Sequence, residues 1–460
     1  MSIAESTEVL PAQATPPVRR AEIPDALNAP VPPPPPPTIE ETGLHPDTLA
    51  QLMLKTLVAG EASGTQLSDM MRLPYSVLDA LVQHARVEKL VEVRGASGAG
   101  TAGYRYALTD LGRDRAGQFF DMNRYAGPAP VPLAQYNAYI RQCMQARPCL
   151  DRERLSRGFS DLIVNTQMYD QLGPAVNSGK SLFLYGKPGN GKTVVAEGIG
   201  RALGGGIYVP YAIDVDGQTI TMFDPVNHVR MGGAAGGVDS VIATVARDRR
   251  WEQIRRPVVV VGGELTLEML DLTFNPISKF YEAPIQLKAN GGVFVVDDFG
   301  RQRIPPRDLL NRWIVPLESR VDFLTLHTGR KFEVPFNVFI VFATNLKPES
   351  LADEAFLRRI PYKIRAQDPT PDEFAQIFEM NCRRRGLAFD PTIVEYLLEI
   401  YYHPRGLALR ACHPRDLIEQ VIDRCRYKGD EPAITRELLG ASCASYFVEE
   451  SETQAGEPAI

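Results

Sequence analysis

The sequence predicts an α/β protein: a parallel sheet built around a glycine-rich phosphate loop, a small helical domain after it, and a domain of three helices and a hairpin before it. Three observations predict this. Gly186-Lys187-Pro188-Gly189-Asn190-Gly191-Lys192-Thr193 matches all of G-x-x-x-x-G-K-[ST] and lies between the apolar run Ser181-Leu182-Phe183-Leu184-Tyr185 and the helix-like Val194-Val195-Ala196-Glu197. Two further apolar runs, within 291–296 and 338–343, read as buried parallel strands that end in polar residues. From Thr370 onward, capping residues and prolines at helix starts recur, with Phe374, Ile377 and Phe378 on one helical face.

In the phosphate loop, Gly186, Gly189 and Gly191 let the backbone curl so that successive N–H groups point at β- and γ-phosphates. Lys187, Pro188 and Asn190 complete the loop, and Val194 lies in the first turn of the helix whose positive end faces the anion. Lys192 neutralises phosphate charge, and the Thr193 hydroxyl takes one position on Mg²⁺. The strand Val293-Phe294-Val295-Val296 delivers Asp297 and Asp298 beside this loop. Asp297 is expected to hold Mg²⁺ through water, and Asp298 to orient and polarise the attacking water. The strand at 338–344 ends in Asn345, whose amide can hold the same water. Arg358 and Arg359 follow a short helix, and Arg415 lies near the start of another, with Arg410 as its rival.

The 460 residues leave room for two or three domains. No apolar stretch reaches membrane-spanning length and the N-terminus lacks a signal-peptide core, so a cytoplasmic protein with no membrane partner is expected. Cys143, Cys149, Cys382, Cys412, Cys425 and Cys443 show no C-x-x-C spacing, which argues against a zinc site or a disulfide framework. A net charge of −6 argues against a chain built to coat nucleic acid.

In chain order, residues 1–42 form a proline-rich arm with an extended run at 32–37, read as disordered. Residues 43–125 carry three helical stretches, with Pro46 opening the first, Thr65 able to cap the second and Pro74 opening the third. Strands at 90–94 and 104–108 are joined by a glycine-rich loop, and Thr109 can cap a further helix. This order resembles a winged helix-turn-helix, with the third helix as reader and the glycine loop as wing. Nine Lys/Arg balance nine Asp/Glu over 44–125, so the reading leans toward protein docking while leaving DNA contact open.

Residues 126–150 read as a linker, stiffened by Ala-Gly-Pro-Ala-Pro-Val-Pro and followed by a helix around 133–146. A helix around 155–172 then leads to the phosphate-loop strand. Leu162, Ile163 and Val164 either wall a base or belong to ordinary core. The nucleotide-binding domain spans 151–365, with an insert at 205–288. In that insert, strands at 207–213 and 218–223 are joined through Asp216-Gly217, a glycine/alanine loop follows at 231–237, and Phe280-Tyr281 is the nearest candidate for an aromatic grip on a polypeptide. Residues 366–448 form a lid of four short helices, and 449–460 an acidic tail.

Taken together, the phosphate loop, the strand with paired acids, Leu309-Leu310-Asn311-Arg312-Trp313-Ile314-Val315-Pro316-Leu317-Glu318, Ala343-Thr344-Asn345, Phe356-Leu357-Arg358-Arg359 and Pro414-Arg415-Asp416-Leu417 resemble the AAA+ ATPases over about residues 150–448. The resemblance implies ATP and Mg²⁺ as ligands and hydrolysis at subunit interfaces of a ring, expected to be a homohexamer. It makes Asn345 sensor 1, Arg358 and Arg359 candidate arginine fingers that reach a neighbouring subunit, and Arg415 sensor 2. The acidic net charge and the long insert point to remodelling of a protein client as the work done. The alternatives are a DNA-linked regulator or loader and a nucleotide-gated scaffold with little hydrolysis. Two features depart from the family pattern: Asp298 stands where Glu is usual, and 105 residues separate Lys192 from Asp297, more than the usual interval.

Overall fold

The computed structural model describes residues 31, 33–96, 98, 100–147, 149–231 and 247–447. The arm before residue 31, the glycine/alanine stretch 232–237 and the tail 449–460 lie outside the described residues. The protein is α/β. Its central sheet runs in the order Val258–Val261, Val293–Val296, Phe339–Thr344, Leu182–Tyr185, Tyr362–Arg365, and every neighbouring pair is parallel. Side chains alternate between the two faces as a pleated strand requires. Leu182, Leu184, Val293 and Val295 pack against the helices Arg152–Gly158, Thr166–Ser178 and Lys192–Leu203. Phe183, Phe294, Val296 and Phe342 pack on the other side with Trp313 and Ile360. Burial on both faces explains why these strands read as unbroken apolar runs. The helix expected around 155–172 is instead two helices, because residues 159–165 turn between Phe159, which packs on Gly198, and the Asn165 cap.

The insert builds a second five-stranded sheet, ordered Thr273–Asn275, Phe280–Glu282, Gln218–Thr221, Ala212–Val215, Val131–Pro132. Asp216 (φ 52°) and Gly217 (φ 79°) form the two-residue hairpin turn expected of that pair. The strand expected at 207–213 divides at Tyr211: Gly206–Pro210 pairs with Trp251–Arg255, and Ala212–Val215 joins the insert sheet. Phe280 and Tyr281 are not on a free loop. They lie in a strand, Tyr281 is buried, and Phe280 meets Tyr125 edge to face at 5.7 Å. Nor is 126–150 a spacer between bodies, because Val131–Pro132 pairs parallel with Ile213–Asp214 and the following helix Leu133–Gln145 buries Tyr136, Tyr139 and Ile140 against the insert.

The N-terminal unit holds the helices Pro46–Leu57, Gly64–Met71, Tyr75–Val87 and Asp110–Met122 around a sheet of Ala62–Ser63, Tyr104–Leu108 and Val91–Ala96. Ser63, not Thr65, caps the second helix: its hydroxyl accepts from Gln66 N while Gln66 reaches back to Ser63 N. The end of the proline-rich arm is ordered against this unit. Pro36 is buried, the Ser76 hydroxyl donates to Pro37 O at 3.0 Å, and Glu40–Thr42 forms a 3₁₀ turn.

One buried ion pair joins these parts. Arg250 is fully buried and donates to Asp248 through Nε and Nη2, to Thr42 O and Pro130 O through Nη1 (3.1 Å each), and to Gln135 Oε1 through Nη2 (3.2 Å). A single guanidinium thereby ties the arm, the 126–132 segment, the following helix and the insert together. The lid contains the expected helices, Pro371–Arg384, Pro391–Leu397, His413–Lys428 and Arg436–Tyr446, around Phe374, Phe378, Leu397, Leu417 and Val421. No described helix is long and apolar enough to cross a membrane.

Candidate functional site

All five central strands point the same way, so the segments after Tyr185, Val296 and Thr344 emerge at one edge of the sheet. The loop after Tyr185 reaches the helix Lys192–Leu203 through Gly186 (φ 150°), Gly189 (φ 82°) and Gly191 (φ 70°), a conformation that L side chains rarely adopt. Space restricts Gly189 further: a Cβ there would lie 2.5 Å from Cys412 Sγ of the lid.

Inside this edge the polar side chains form two sets of contacts, joined where Asp298 N donates to Asp297 Oδ1 at 3.0 Å. Lys192 Nζ donates to the carbonyls of Gly186 and Lys187 (3.1 Å each) and to Asn345 Oδ1 at 2.7 Å. The amide nitrogen of Asn345 donates to Asp298 Oδ1 at 2.9 Å, and the Thr193 hydroxyl donates to Asp297 Oδ2 at 2.6 Å. Burial lowers the Lys192 pKa from its ordinary value; the charges of Asp297 and Asp298 oppose that shift and Arg410 adds to it. Asp298 holds φ 47°, a left-handed conformation unusual for a residue with a side chain. The turn carrying it is braced by Gln302, which donates to Asp297 O at 2.7 Å and accepts from Gly300 N at 2.8 Å.

These groups open into one cavity of about 640 Å³, of a size that takes a drug-sized ligand. Pro188, Gly189, Asn190, Gly191, Lys192, Thr193 and Val194 line it together with Asp297, Asp298 and Asn345. Apolar side chains also line it, Leu162, Ile163 and Val164 from the sheet domain and Ile377 and Met380 from the lid. Of the sequence-predicted residues, Gly186 and Lys187 touch Lys192 through their carbonyls. Arg415 lines the cavity from the lid, paired with Asp416 at 2.8 Å. Arg410 does not line the cavity: its guanidinium is bound to Asp368.

Arg358 and Arg359 are not brought to this cavity. Arg358 is exposed and pairs with Glu354 at 3.0 Å along its own helix, and Arg359 pairs with Glu318. Arg301, Asn381 and Arg384, which sequence reasoning passed over, do line the cavity. Arg384 sits in the last turn of its helix, where a basic residue is unremarkable, so no local pattern marked it.

The residues present fit Mg²⁺ in part. The Thr193 hydroxyl and the Asp297 carboxylate are hard oxygen donors side by side, but no group of three or more His, Cys, Asp or Glu among the described residues could hold an ion. That donor set suits a cation whose remaining ligands are phosphate oxygens and water.

A family model described as "Domain of unknown function (DUF8689)" matches residues 370–445, the lid. No curated protein sequence matches the chain. Among solved structures, the chain is similar to NtrX from Brucella abortus in complex with ATP, at 16% identity and TM-score 0.36 over 61% of this chain and 57% of that one. It is similar to a second NtrX structure from Brucella abortus, at 16% identity and TM-score 0.39 over 70% of this chain and 71% of that one. It is also similar to the Holliday junction branch migration motor RuvB of Thermotoga maritima, at 14% identity and TM-score 0.33 over 65% of this chain and 72% of that one. The chain thus spans less than two thirds of the ATP-complexed NtrX chain.

Proposed function

We propose that the protein is an AAA+ ATPase that binds ATP with Mg²⁺ in the cavity between sheet domain and lid and hydrolyses it. The observation that carries this reading is the chain of contacts Lys192–Asn345–Asp298, which links the phosphate loop, a strand-end amide and a carboxylate at one mouth. On this reading the backbone N–H groups of 189–193 and the Lys192 ammonium hold the phosphates. Thr193 and Asp297 hold Mg²⁺, which when bound neutralises developing phosphate charge. Asp298 accepts the proton of the attacking water, and Asn345 fixes the orientation of both that water and the carboxylate. The apolar side chains of Leu162, Ile163, Val164 and Met380 take the base, and Arg415 contacts the terminal phosphate from the lid.

At least one of Arg358 and Arg359 acts across a subunit interface as an arginine finger. Their place outside their own chain's cavity is consistent with that role, and it is why a homo-oligomeric ring, with a hexamer as the working expectation, belongs to the proposal. The test is steady-state hydrolysis by wild type, Lys192→Ala and Asp298→Asn. A wild-type rate well above both variants supports the reading. A rate no higher than that of Lys192→Ala favours the nucleotide-gated scaffold.

For the work done with ATP, we favour remodelling of a protein client. The nine Lys/Arg of the winged-helix-like unit are balanced by nine Asp/Glu, and three of them are ion-paired: Arg94 with Glu92, Arg105 with Glu61 and Arg113 with Asp110. The start of the Tyr75–Val87 helix is partly covered by the arm at Pro37. A DNA-reading face needs a net excess of cations, which this unit lacks. Stimulation of hydrolysis by duplex or single-stranded DNA, falling steeply with salt, would reverse this choice in favour of the DNA-linked regulator or loader. The client itself is sought by capturing partners on Asp298→Asn loaded with ATP.

A further inference from the structure

Asp368 lies on the five-residue connection between the last sheet strand, Tyr362–Arg365, and the first lid helix, Pro371–Arg384. The connection begins hard against the phosphate loop: Ala366 N donates to Tyr185 O at 2.8 Å, and a Cβ on Gly186 would lie 2.4 Å from Ala366 O. Asp368 Oδ1 accepts from Asn190 Nδ2 of the phosphate loop at 2.7 Å, and the same oxygen accepts from Arg410 Nη1 of the lid. Lys187 Nζ approaches the other oxygen at 3.5 Å. Burial works to raise the carboxyl's pKa, but the Asn190 and Arg410 hydrogen bonds together with the Arg410 and Lys187 charges hold it below the usual value, so Asp368 is an anion at neutral pH.

The contacts around it run the same way. Ala411 N donates to Asn190 Oδ1 at 3.3 Å, and Cys412 N donates to Gly189 O at 2.9 Å. Lid residues 410–412 therefore lie on the phosphate loop, and one carboxylate on the hinge is shared by both. We infer that Asp368 is a positioning residue that makes lid placement depend on the conformation of the phosphate loop, holding the lid over a nucleotide in the cavity. It does so by keeping Arg410 off the cavity and fixed to the hinge, which leaves Arg384 and Arg415 as the lid cations that line it. The carboxylate accepts from an amide and a guanidinium at one oxygen and supplies the counter-charge that makes the guanidinium bond the stronger of the two.

This inference rests on the ATP-site reading, and one experiment separates the two. Dissociation of a fluorescent ATP analogue is followed by stopped flow from full-length wild type, Lys192→Ala, Asp368→Ala, Asn190→Ala, Arg410→Ala and the Asn190→Ala/Arg410→Ala double variant, with melting curves as a control for folding. The expected result is that Asp368→Ala releases nucleotide about tenfold faster, the scale of one charge-assisted hydrogen-bond network. In hydrolysis, its KM rises by more than kcat falls. The double variant is expected to match Asp368→Ala and not to show the product of the two single effects. Release from Asp368→Ala at the wild-type rate overturns the inference while leaving the site intact, as does multiplicative behaviour of the pair. Release of the analogue from Lys192→Ala at the wild-type rate overturns the site reading and this inference with it. If Asp368→Ala melts early, Asp368→Asn replaces it. That variant keeps the shape, loses the charge on Arg410, and is expected to show the same KM-over-kcat bias.

Discussion

The buried pair Asp248–Arg250 offers a prediction whose size follows from its contacts. Asp248→Asn keeps the volume but replaces the oxygen that accepts from Arg250 Nη2 at 2.7 Å with an amide donor, so two donors face each other and a guanidinium of zero exposure loses its counter-charge. Breaking a buried pair by removing one partner costs about 3–5 kcal/mol. For a cooperative unit of 150–250 residues, that corresponds to a melting shift of about 6–20 °C. The exposed pair Arg249–Asp69 beside it, at 2.6 Å, supplies the contrast: Arg249→Ala is expected to change stability by less than about 1 kcal/mol. A double variant, Asp248→Leu/Arg250→Met, removes both charges yet does not restore wild-type stability, because Thr42 O, Pro130 O and Gln135 Oε1 lose their donor. Thermal melts followed by near-ultraviolet dichroism, with limited proteolysis of the N-terminal unit, provide the assay. A shift under about 2 °C for Asp248→Asn, or full recovery in the double variant, would refute the claim that this guanidinium joins the N-terminal unit to the insert.

Other predictions concern the site. Asn345→Ala, which disconnects Lys192 from Asp298, is expected to lower kcat by about 10²–10³ with a smaller change in KM, measured by steady-state phosphate release. Arg358→Ala is expected to leave nucleotide affinity near wild type while hydrolysis falls by about 10³–10⁵, and equal loss of both would indicate a role within its own chain. His413, hydrogen-bonded to Tyr402 and packed on Tyr446 and Phe447, has its pKa lowered by burial to about 4, with the Arg410 charge adding to the shift. The unfolded chain binds a proton on this imidazole below pH 6.5 and the folded lid does so only below about 4. Stability is therefore present above pH 6.5 and lost as pH falls from 6.5 toward 4, with a slope of at most about 1.4 kcal/mol per pH unit. His413→Phe is expected to flatten that part of a melting-versus-pH curve.

Several features were legible because the local pattern and the tertiary requirement coincide. A strand buried on both faces must be apolar throughout, so Val293–Val296 and Phe339–Thr344 announce themselves, and the polar residue ending each one is automatically at the carboxyl edge. The phosphate loop needs left-handed backbone at Gly189 and Gly191, and the Asp216-Gly217 turn is set by its own dihedrals. Where reading failed, the missing information was non-local. Val131–Pro132 resembles spacer because two prolines on either side of a valine carry no strand signal, and only pairing with Ala212–Val215 makes it a strand. Phe280 and Tyr281 pass equally for a grip or for core, since hydrophobicity does not say which neighbour arrives.

By itself, then, the order of residues determined the glycine-rich loop between strand and helix, the acidic and amide strand ends, the four lid helices and the α/β class, because each depends on contacts within a few residues or on a periodicity. Tertiary structure alone decided that Lys192, Asn345 and Asp298 share hydrogen bonds, that Asp368 serves loop and lid together, and that Arg250 binds four segments at once. The physical reason is that a charged group finds its partners by position in space. Asn345 lies 153 positions from Lys192 and Thr42 lies 208 positions from Arg250, beyond any local pattern.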